Sequence, residues 1–283
     1  MFSTATKILI ARMLYFLLHA LRRPFGFTDQ AVARRRGVVW NLDLREGIDL
    51  TIYALGAFEW NTLRALESRV REGATVLDVG ANVGAHTLHL ARLVGPKGLV
   101  IAFEPTDFAM AKLRANLAAN PDLASRVEVH QAFLVEDEKA ALVPTLASSW
   151  PVDGTPTDDP QMGSRAMNLS GATATTLDSV FAAAGNPEVQ LIKMDVDGHE
   201  LEVLKGARRL LERSRPIIVM ELAPYVFHPA EKFDDLVALL TSLRYQFLPL
   251  GSSSPLPDNG PALRARIPRE GSVNVVAVPK ALG

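Results

Sequence analysis

Two short segments of this 283-residue chain gather the side chains that can do chemistry. The first is Val76-Leu-Asp-Val-Gly-Ala-Asn-Val-Gly-Ala-His-Thr87, an apolar run that passes Asp78 and enters a turn carrying Gly80, Asn82 and Gly84. Glycines so placed allow a tight turn and close backbone approach to a ligand. A helix opening straight after it would offer free N–H groups and a positive dipole end. The second is Leu191-Ile-Lys-Met-Asp-Val-Asp-Gly-His-Glu-Leu-Glu-Val-Leu-Lys-Gly-Ala207. Here an apolar strand ends in Lys193, Asp195 and Asp197, and His199 and Glu200 open a helix. Charges gathered at a strand's carboxyl end suggest a site rather than a solvated face. Helix-start chemistry is the alternative for Asp197, as N-cap, and Glu200, as its capping-box partner. It explains neither Lys193 nor Asp195.

The glycine turn fits two kinds of cofactor, and spacing separates them. A dinucleotide site wants Gly-x-Gly-x-x-Gly to receive the pyrophosphate. In this chain Asn82 stands where the second glycine should be, and Asp78 inside the motif would oppose a pyrophosphate. That negative charge suits the ammonium and sulfonium of S-adenosylmethionine. Glu104, ending the next apolar run, is placed to accept hydrogen bonds from ribose hydroxyls, a feature both cofactor classes share. The motif therefore favours S-adenosylmethionine over a nicotinamide cofactor.

The elements that must position these residues alternate along the chain. Strands are predicted at Thr75–Val79, Leu99–Phe103, Val127–Phe133, Val189–Met194 and Pro216–Leu222, with helices at Gly84–Val94, Thr106–Ala119, His199–Glu212 and Ala230–Leu243. Tyr245–Leu250 and Val273–Val278 look like a closing antiparallel pair. Continuous apolar strands alternating with helices predict a mainly parallel sheet covered on both faces. Upstream, 37–44 and 48–53 alternate apolar and polar residues around Arg45-Glu46-Gly47, which predicts a β-hairpin, with a helix following at Glu59–Val70. The chain thus divides into a basic helical segment (1–36), a hairpin-and-helix lead-in (37–73) and the α/β domain (74–283). The segment 144–171 breaks the pattern, is rich in turn formers, and is expected to be a lid or substrate loop. A Pro/Ser/Gly stretch at 250–262 falls within the terminal hairpin.

Composition narrows the classes. The chain has no cysteine, which excludes disulfides, zinc-thiolate sites and a cysteine nucleophile, and fits a cytoplasmic enzyme. Residues 1–36 carry a net charge of +6 and the remainder −7, so the body is mildly acidic, unlike that of a non-specific nucleic-acid binder. The apolar run Ile8–Leu21 is short for a membrane span and is broken by Arg12 and His19. An amphipathic helix packed on the domain is expected, with a peripheral contact to anionic lipid as the alternative.

Taken together, Asp78–Gly84, Phe103-Glu104-Pro105, Lys193–Glu200 and Val203–Ala207 resemble the FkbM-type methyltransferase family, and the Pro216–Glu221 strand and Phe58-Glu59 look similar too. The resemblance spans about residues 55–225. Asp197 stands where glutamate is more usual in that family, and His199 where an apolar residue is common. The resemblance implies a class I methyltransferase, Rossmann-like fold and O-methylation of a small hydroxylated acceptor, often a sugar, glycolipid or natural product. By analogy Asp78, Gly80, Asn82 and Gly84 hold the methionine end of the cofactor, Glu104 the ribose, and Gln131 lies near adenine. Methyl transfer is largely a matter of alignment plus a base. His199 is the candidate base by pKa and Asp195 by position, with Glu221 placed to orient either. Glu59, Lys193 and Asp197 are expected on the acceptor side, and no metal is invoked. A nicotinamide oxidoreductase and a catalytically silent cofactor-binding module are the alternatives.

Overall fold

The computed structural model describes residues 4–159, 163–227, 229–269 and 271–281. The chain opens with helix α1 (Thr4–Arg22), a hairpin of β1 (Gln30–Arg35) and β2 (Val38–Asp43), and helices α2 (Gly47–Leu55) and α3 (Trp60–Glu67). β3 (Thr75–Val79), α4 (Thr87–Leu93), β4 (Leu99–Phe103), α5 (Asp107–Ala118), α6 (Pro121–Ala124) and β5 (Val127–His130) follow. β6 (Ala132–Leu134), β7 (Thr145–Ser149), β8 (Arg165–Asn168) and β9 (Thr173–Thr175) make two small sheets, β6 with β9 and β7 with β8, before α7 (Leu177–Ala183). β10 (Leu191–Met194), α8 (Glu200–Lys205), α9 (Arg208–Ser214), β11 (Ile217–Leu222), α10 (Glu231–Ser242), β12 (Tyr245–Pro249), α11 (Gly260–Arg264) and β13 (Val273–Pro279) complete the order.

Seven strands form the main sheet in the order β12-β13-β11-β10-β3-β4-β5. Only β13 runs against its neighbours, as the terminal antiparallel pair anticipates. The central parallel strands β3, β4 and β10 are buried along nearly their whole length, because helices cover both faces. Register then decides which side chains meet. Lys193 pairs with Asp78 across β10–β3, and Met194 is level with Val79 and Met220. The carboxyl ends of β3, β4, β10 and β11 therefore share one edge, where Glu104, Asp195 and Glu221 emerge.

The N-terminal hairpin differs from expectation. Its strands are β1 and β2, so the boundary at 36/37 falls inside a hairpin, and 48–53 is helix rather than strand. A strand with one covered face buries alternate residues. Here the adjacent Asp49 and Leu50 are both buried. Asp49 accepts a hydrogen bond from the Asp43 amide and pairs with Lys112 Nζ at 2.5 Å, anchoring the helix to α5. The run of arginines at 34–36 hid β1, whose inward residues are small alanines, Ala31 and Ala33. Two further elements split where one was expected. The third strand breaks at Gln131 into β5 and β6. The helix after β10 breaks at Gly206, where a Cβ would collide with the Val135 carbonyl. Helix α7 and strand β9 have no counterpart in the sequence reading.

Side-chain amides fasten the hairpin to the domain. Asn116, fully buried, accepts from the Asn41 amide at 2.9 Å and donates to the Val83 carbonyl at 2.9 Å. Asn120 accepts from the Val39 amide at 2.8 Å and donates back to the Val39 carbonyl. β2 thus finds in α5 and the turn after it the partners that an edge strand lacks. The apolar cluster beneath joins Trp40, Leu42 and Leu50 to Met110 and Leu113, so the lead-in shares a core with the α/β sheet. Asn116→Ala orphans a backbone N–H and a C=O. It is expected to lower unfolding free energy by about 1–3 kcal/mol in a urea titration, and an unchanged midpoint would show the hairpin is held elsewhere.

Candidate active site

The glycine turn after β3 is closed on itself. The amides of Gly80 and Ala81 both donate to the Phe103 carbonyl, at 3.0 and 2.9 Å, and that of Gly84 donates to the Ala81 carbonyl. The Asn82 amide donates to Glu104 Oε2 at 2.9 Å, and the Val83 amide to Asn82 Oδ1 at 2.8 Å. All five N–H groups from 80 to 84 are committed within the protein. Asn82 adopts a left-handed conformation (φ 48°), which asparagine tolerates because its short side chain bonds locally. Gly80 (φ 76°) is required sterically, since a Cβ there would collide with the Asp195 carbonyl. Helix α4 begins only at Thr87, later than the sequence suggests.

This geometry tests which cofactor the residues fit. A pyrophosphate needs free backbone N–H groups to neutralise it, and the turn has none to offer. What the edge presents is acid. Glu104 is buried, with Oε1 accepting from the Thr106 amide and hydroxyl at 2.9 and 2.6 Å. A carboxylate has about four lone-pair sites, and three are taken here, so one remains for a ligand hydroxyl. Burial raises the Glu104 carboxyl above its ordinary value, against the pull of those hydrogen bonds and of Lys193. These residues fit a cationic, phosphate-free ribonucleoside such as S-adenosylmethionine.

Asp78 and Lys193 play a different part from the one expected of them. Asp78 is fully buried, accepts from the Thr87 hydroxyl at 2.6 Å, and lies 3.5 Å from Lys193 Nζ. Lys193, also buried, donates to the Gly80 carbonyl at 3.0 Å. Burial pulls the Lys193 ammonium down, but Asp78, Asp195 and Glu59 together raise it above its ordinary value. The pair is therefore an internal strut that ties β10 to the turn. Asp78's charge faces Lys193, and Lys193, held by the turn, also lines the neighbouring cleft.

Beside the strut lies a small cleft lined by Glu59, Lys193, Asp195, Glu221 and Asn274. Register brings Glu221, opposite Asn274 on β13, level with Asp195. Burial raises the Asp195 carboxyl, Lys193 opposes this, and Glu59 adds repulsion, leaving it above its ordinary value. Glu59, in a left-handed turn (φ 46°), lies 3.5 Å from His86 Nε2. Burial pushes the Glu59 carboxyl up, but adjacent His86 and then Lys193 outweigh it and leave the group below its ordinary value. His86 was missed in the sequence. It is buried, and neither ring nitrogen has a hydrogen-bond partner among the described residues. Its place beside the glycine turn was the available signal.

The segment after β10 corrects the capping expectation. Asp197 is exposed, left-handed (φ 48°), and is not the N-cap; His199 holds that position without a side-chain cap bond. Glu200 instead reaches back to accept from the Gly198 amide at 3.1 Å and the Val196 amide at 3.3 Å. Burial pushes the Glu200 carboxyl up to about 8. His199 does not join the Asp195 cleft. Its ring sits edge-on to Phe133 at 5.2 Å and lines a separate groove of about 500 Å³ with residues 133–137, 139–141, Val143 and Glu202. Burial lowers the His199 imidazole below its ordinary value.

The 144–171 segment is not a structureless loop. It holds the β7–β8 hairpin, and Ser148 Oγ lies 2.8 Å from Thr106 Oγ1, one residue pair from Glu104. Ser149 and the Trp150 amide bond to the buried Glu46 carboxylate, and the Gly47 amide bonds to the Trp150 carbonyl. The hairpin thus covers the Glu104 end and is latched to the lead-in. Gln131 donates to Asp107 Oδ1 at 2.5 Å, and Asp107 also accepts from Ser170 and from the Gly171 amide. Its amide is engaged in holding the end of that segment rather than free for adenine.

A seven-stranded sheet with this strand order and one reversed strand, carrying an acidic carboxyl edge beside a glycine turn, defines the class I methyltransferase fold. Residues 78–247 match the family model for the methyltransferase FkbM domain, and the chain belongs to that family. Similar curated proteins include hexuronic acid methyltransferase AglP of Haloferax volcanii, 27% identical over 57% of this chain and 61% of that protein. Methyltransferase sdnD of Sordaria araneosa is 30% identical over 46% of this chain and 59% of that protein. The chain spans about three-fifths of the length of these curated relatives. Among solved structures, methyltransferase FkbM from Methylobacillus flagellatus is 20% identical with a TM-score of 0.46, over 73% of this chain and 44% of that one.

Proposed function

We propose that the protein is an S-adenosylmethionine-dependent methyltransferase acting on a hydroxyl of a small acceptor of the sugar, glycan or natural-product class. The observation that carries this reading is the turn whose N–H groups are all committed while a buried acid, Glu104, stands beside it. That arrangement disfavours the nicotinamide alternative, whose pyrophosphate would find no free amide across residues 80–84. The name of the AglP relative supports a sugar acceptor, since a hexuronic acid is rich in hydroxyls.

When bound, S-adenosylmethionine supplies a methyl group activated by its sulfonium. The chain's own task is to hold, orient and deprotonate. Glu104 accepts from the ribose, and Asn82 keeps Glu104 in place. Asp195, whose backbone carbonyl abuts Gly80, takes the acceptor's hydroxyl proton on its carboxylate. A raised carboxyl pKa makes it a better proton acceptor than an ordinary aspartate. Glu221 and Glu59 flank it and orient the hydroxyl. His199, in its separate groove, contacts the more distant part of the acceptor.

Incubation with methyl-labelled S-adenosylmethionine and a sugar extract should give a labelled methyl ether that survives mild base. A base-labile methyl ester would move the acceptor from hydroxyl to carboxylate, and absence of transfer to any component would overturn the reading. Glu104→Ala should weaken S-adenosylhomocysteine binding by roughly 1–3 kcal/mol, the scale of a hydrogen bond to a charged group. Unchanged affinity would place the ribose elsewhere.

A further inference from the structure

Helix α1 is apolar on two sides. Tyr15 is buried and Ala11, Leu14 and Leu18 are partly buried against the hairpin core, so one face is packed as the sequence suggests. The other face carries Leu9, Ile10, Met13, Phe16, Leu17 and Leu21, each between 48% and 65% exposed. Their spacing forms one continuous stripe along the helix. It runs on through the turn after α1 to Phe25 and Phe27, 78% and 61% exposed. Among the described residues, the exposed large hydrophobic side chains all lie between 9 and 55, apart from Leu142. Soluble monomers rarely expose contiguous apolar patches beyond a few hundred Å², and larger ones mark interaction sites.

Charge identifies the occupant. The stripe contains no charged residue, and the exposed Arg23, directly after α1, and Arg34, on the outward face of β1 with Val32, enter no ion pair among the described residues. Asp29, the lone acid of residues 1–36, is tied to His19 at 2.9 Å. This end of the molecule therefore presents apolar surface rimmed by unpaired cations, while the rest carries the net negative charge. A second copy of the chain would have to bring two segments of net charge +6 together. No helix among the described residues is long and apolar enough to cross a membrane. A helix that is apolar outward and cationic at its rim suits the plane of an anionic bilayer. We propose that α1 and the turn through Phe27 dock the protein on an anionic lipid surface, with the Leu9–Leu21 stripe at the acyl boundary and the arginines among the headgroups.

The full chain should sediment with phosphatidylcholine vesicles containing phosphatidylserine, far less with pure phosphatidylcholine, and less of it as salt rises. Met13→Glu with Leu17→Glu alters only the outward stripe. It should cut vesicle binding by roughly tenfold or more while leaving circular dichroism and melting temperature unchanged. Arg23→Glu with Arg34→Glu should remove the preference for phosphatidylserine without touching the apolar face. Two results overturn the proposal. One is a wild-type chain that stays in the supernatant with both vesicle types at low salt. The other is a dimer in solution that the stripe variant converts to monomer, with no vesicle binding by either.

Discussion

Asp195→Asn is expected to lower methyl-transfer turnover by about 10²-fold or more, the loss of a positioned base. Cofactor affinity should change little, because the side chain lines the cleft with Glu59 and Glu221 and only its backbone meets the turn. The pH profile supplies a second readout. A base works deprotonated, so the rate should rise with pH through a carboxyl pKa above the ordinary 3.8, and that limb should vanish in the variant. His199 makes the opposite forecast. Its imidazole lies below the ordinary 6.5, so a His199 base would give a limb there, lost in His199→Ala. Since His199 lines a separate groove, His199→Ala should affect KM more than kcat. Near-normal turnover by Asp195→Asn with a collapse in His199→Ala would reverse the assignment.

Lys193→Met should unfold the protein more readily than any exposed substitution. It leaves the Asp78 carboxylate fully buried without its cation, and breaking a buried pair from one side costs about 3–5 kcal/mol. For a chain of this size the melting temperature should drop by roughly 10 °C. Adding Asp78→Asn removes the stranded charge and should restore much of the loss, a rescue that a merely local packing defect would not show. A Lys193→Met protein that melts like wild type would mean the strut is not needed to hold β10 to the turn.

The sheet was legible because its strands are continuous apolar runs of the right length, and the closing pair because two short apolar segments flank the turn-rich stretch at 250–262. The lead-in was not. Six residues of alternation at 48–53 cannot distinguish strand from helix when a buried salt bridge, Asp49–Lys112, is what pays for the polar residue inside. Arg34-Arg35-Arg36 fell in the segment read as basic helix, yet Arg34 and Arg35 end β1, Arg35 donates to the Tyr53 carbonyl and Arg36 pairs with Glu67. At the site, spacing identified the turn and the charged strand end but could not give direction. A one-residue offset in parallel register decides that Lys193 meets Asp78 under the turn, while Asp195 emerges beside Glu221. Whether His199 shared that cleft depended on how α8 leaves the strand, which no local pattern encodes. His86 was hidden for a different reason. Its position just after the glycine turn does not by itself mark a site, and the approach of Glu59 from a distant helix start makes it part of the constellation.

The proposed function requires the glycine turn to receive S-adenosylmethionine rather than a dinucleotide. Calorimetric titration of the intact chain with S-adenosylhomocysteine and, separately, with NADH tests this directly. Saturable S-adenosylhomocysteine binding that weakens in Glu104→Ala, with no heat from NADH, is the predicted result. Saturable NADH binding with no response to S-adenosylhomocysteine would contradict it.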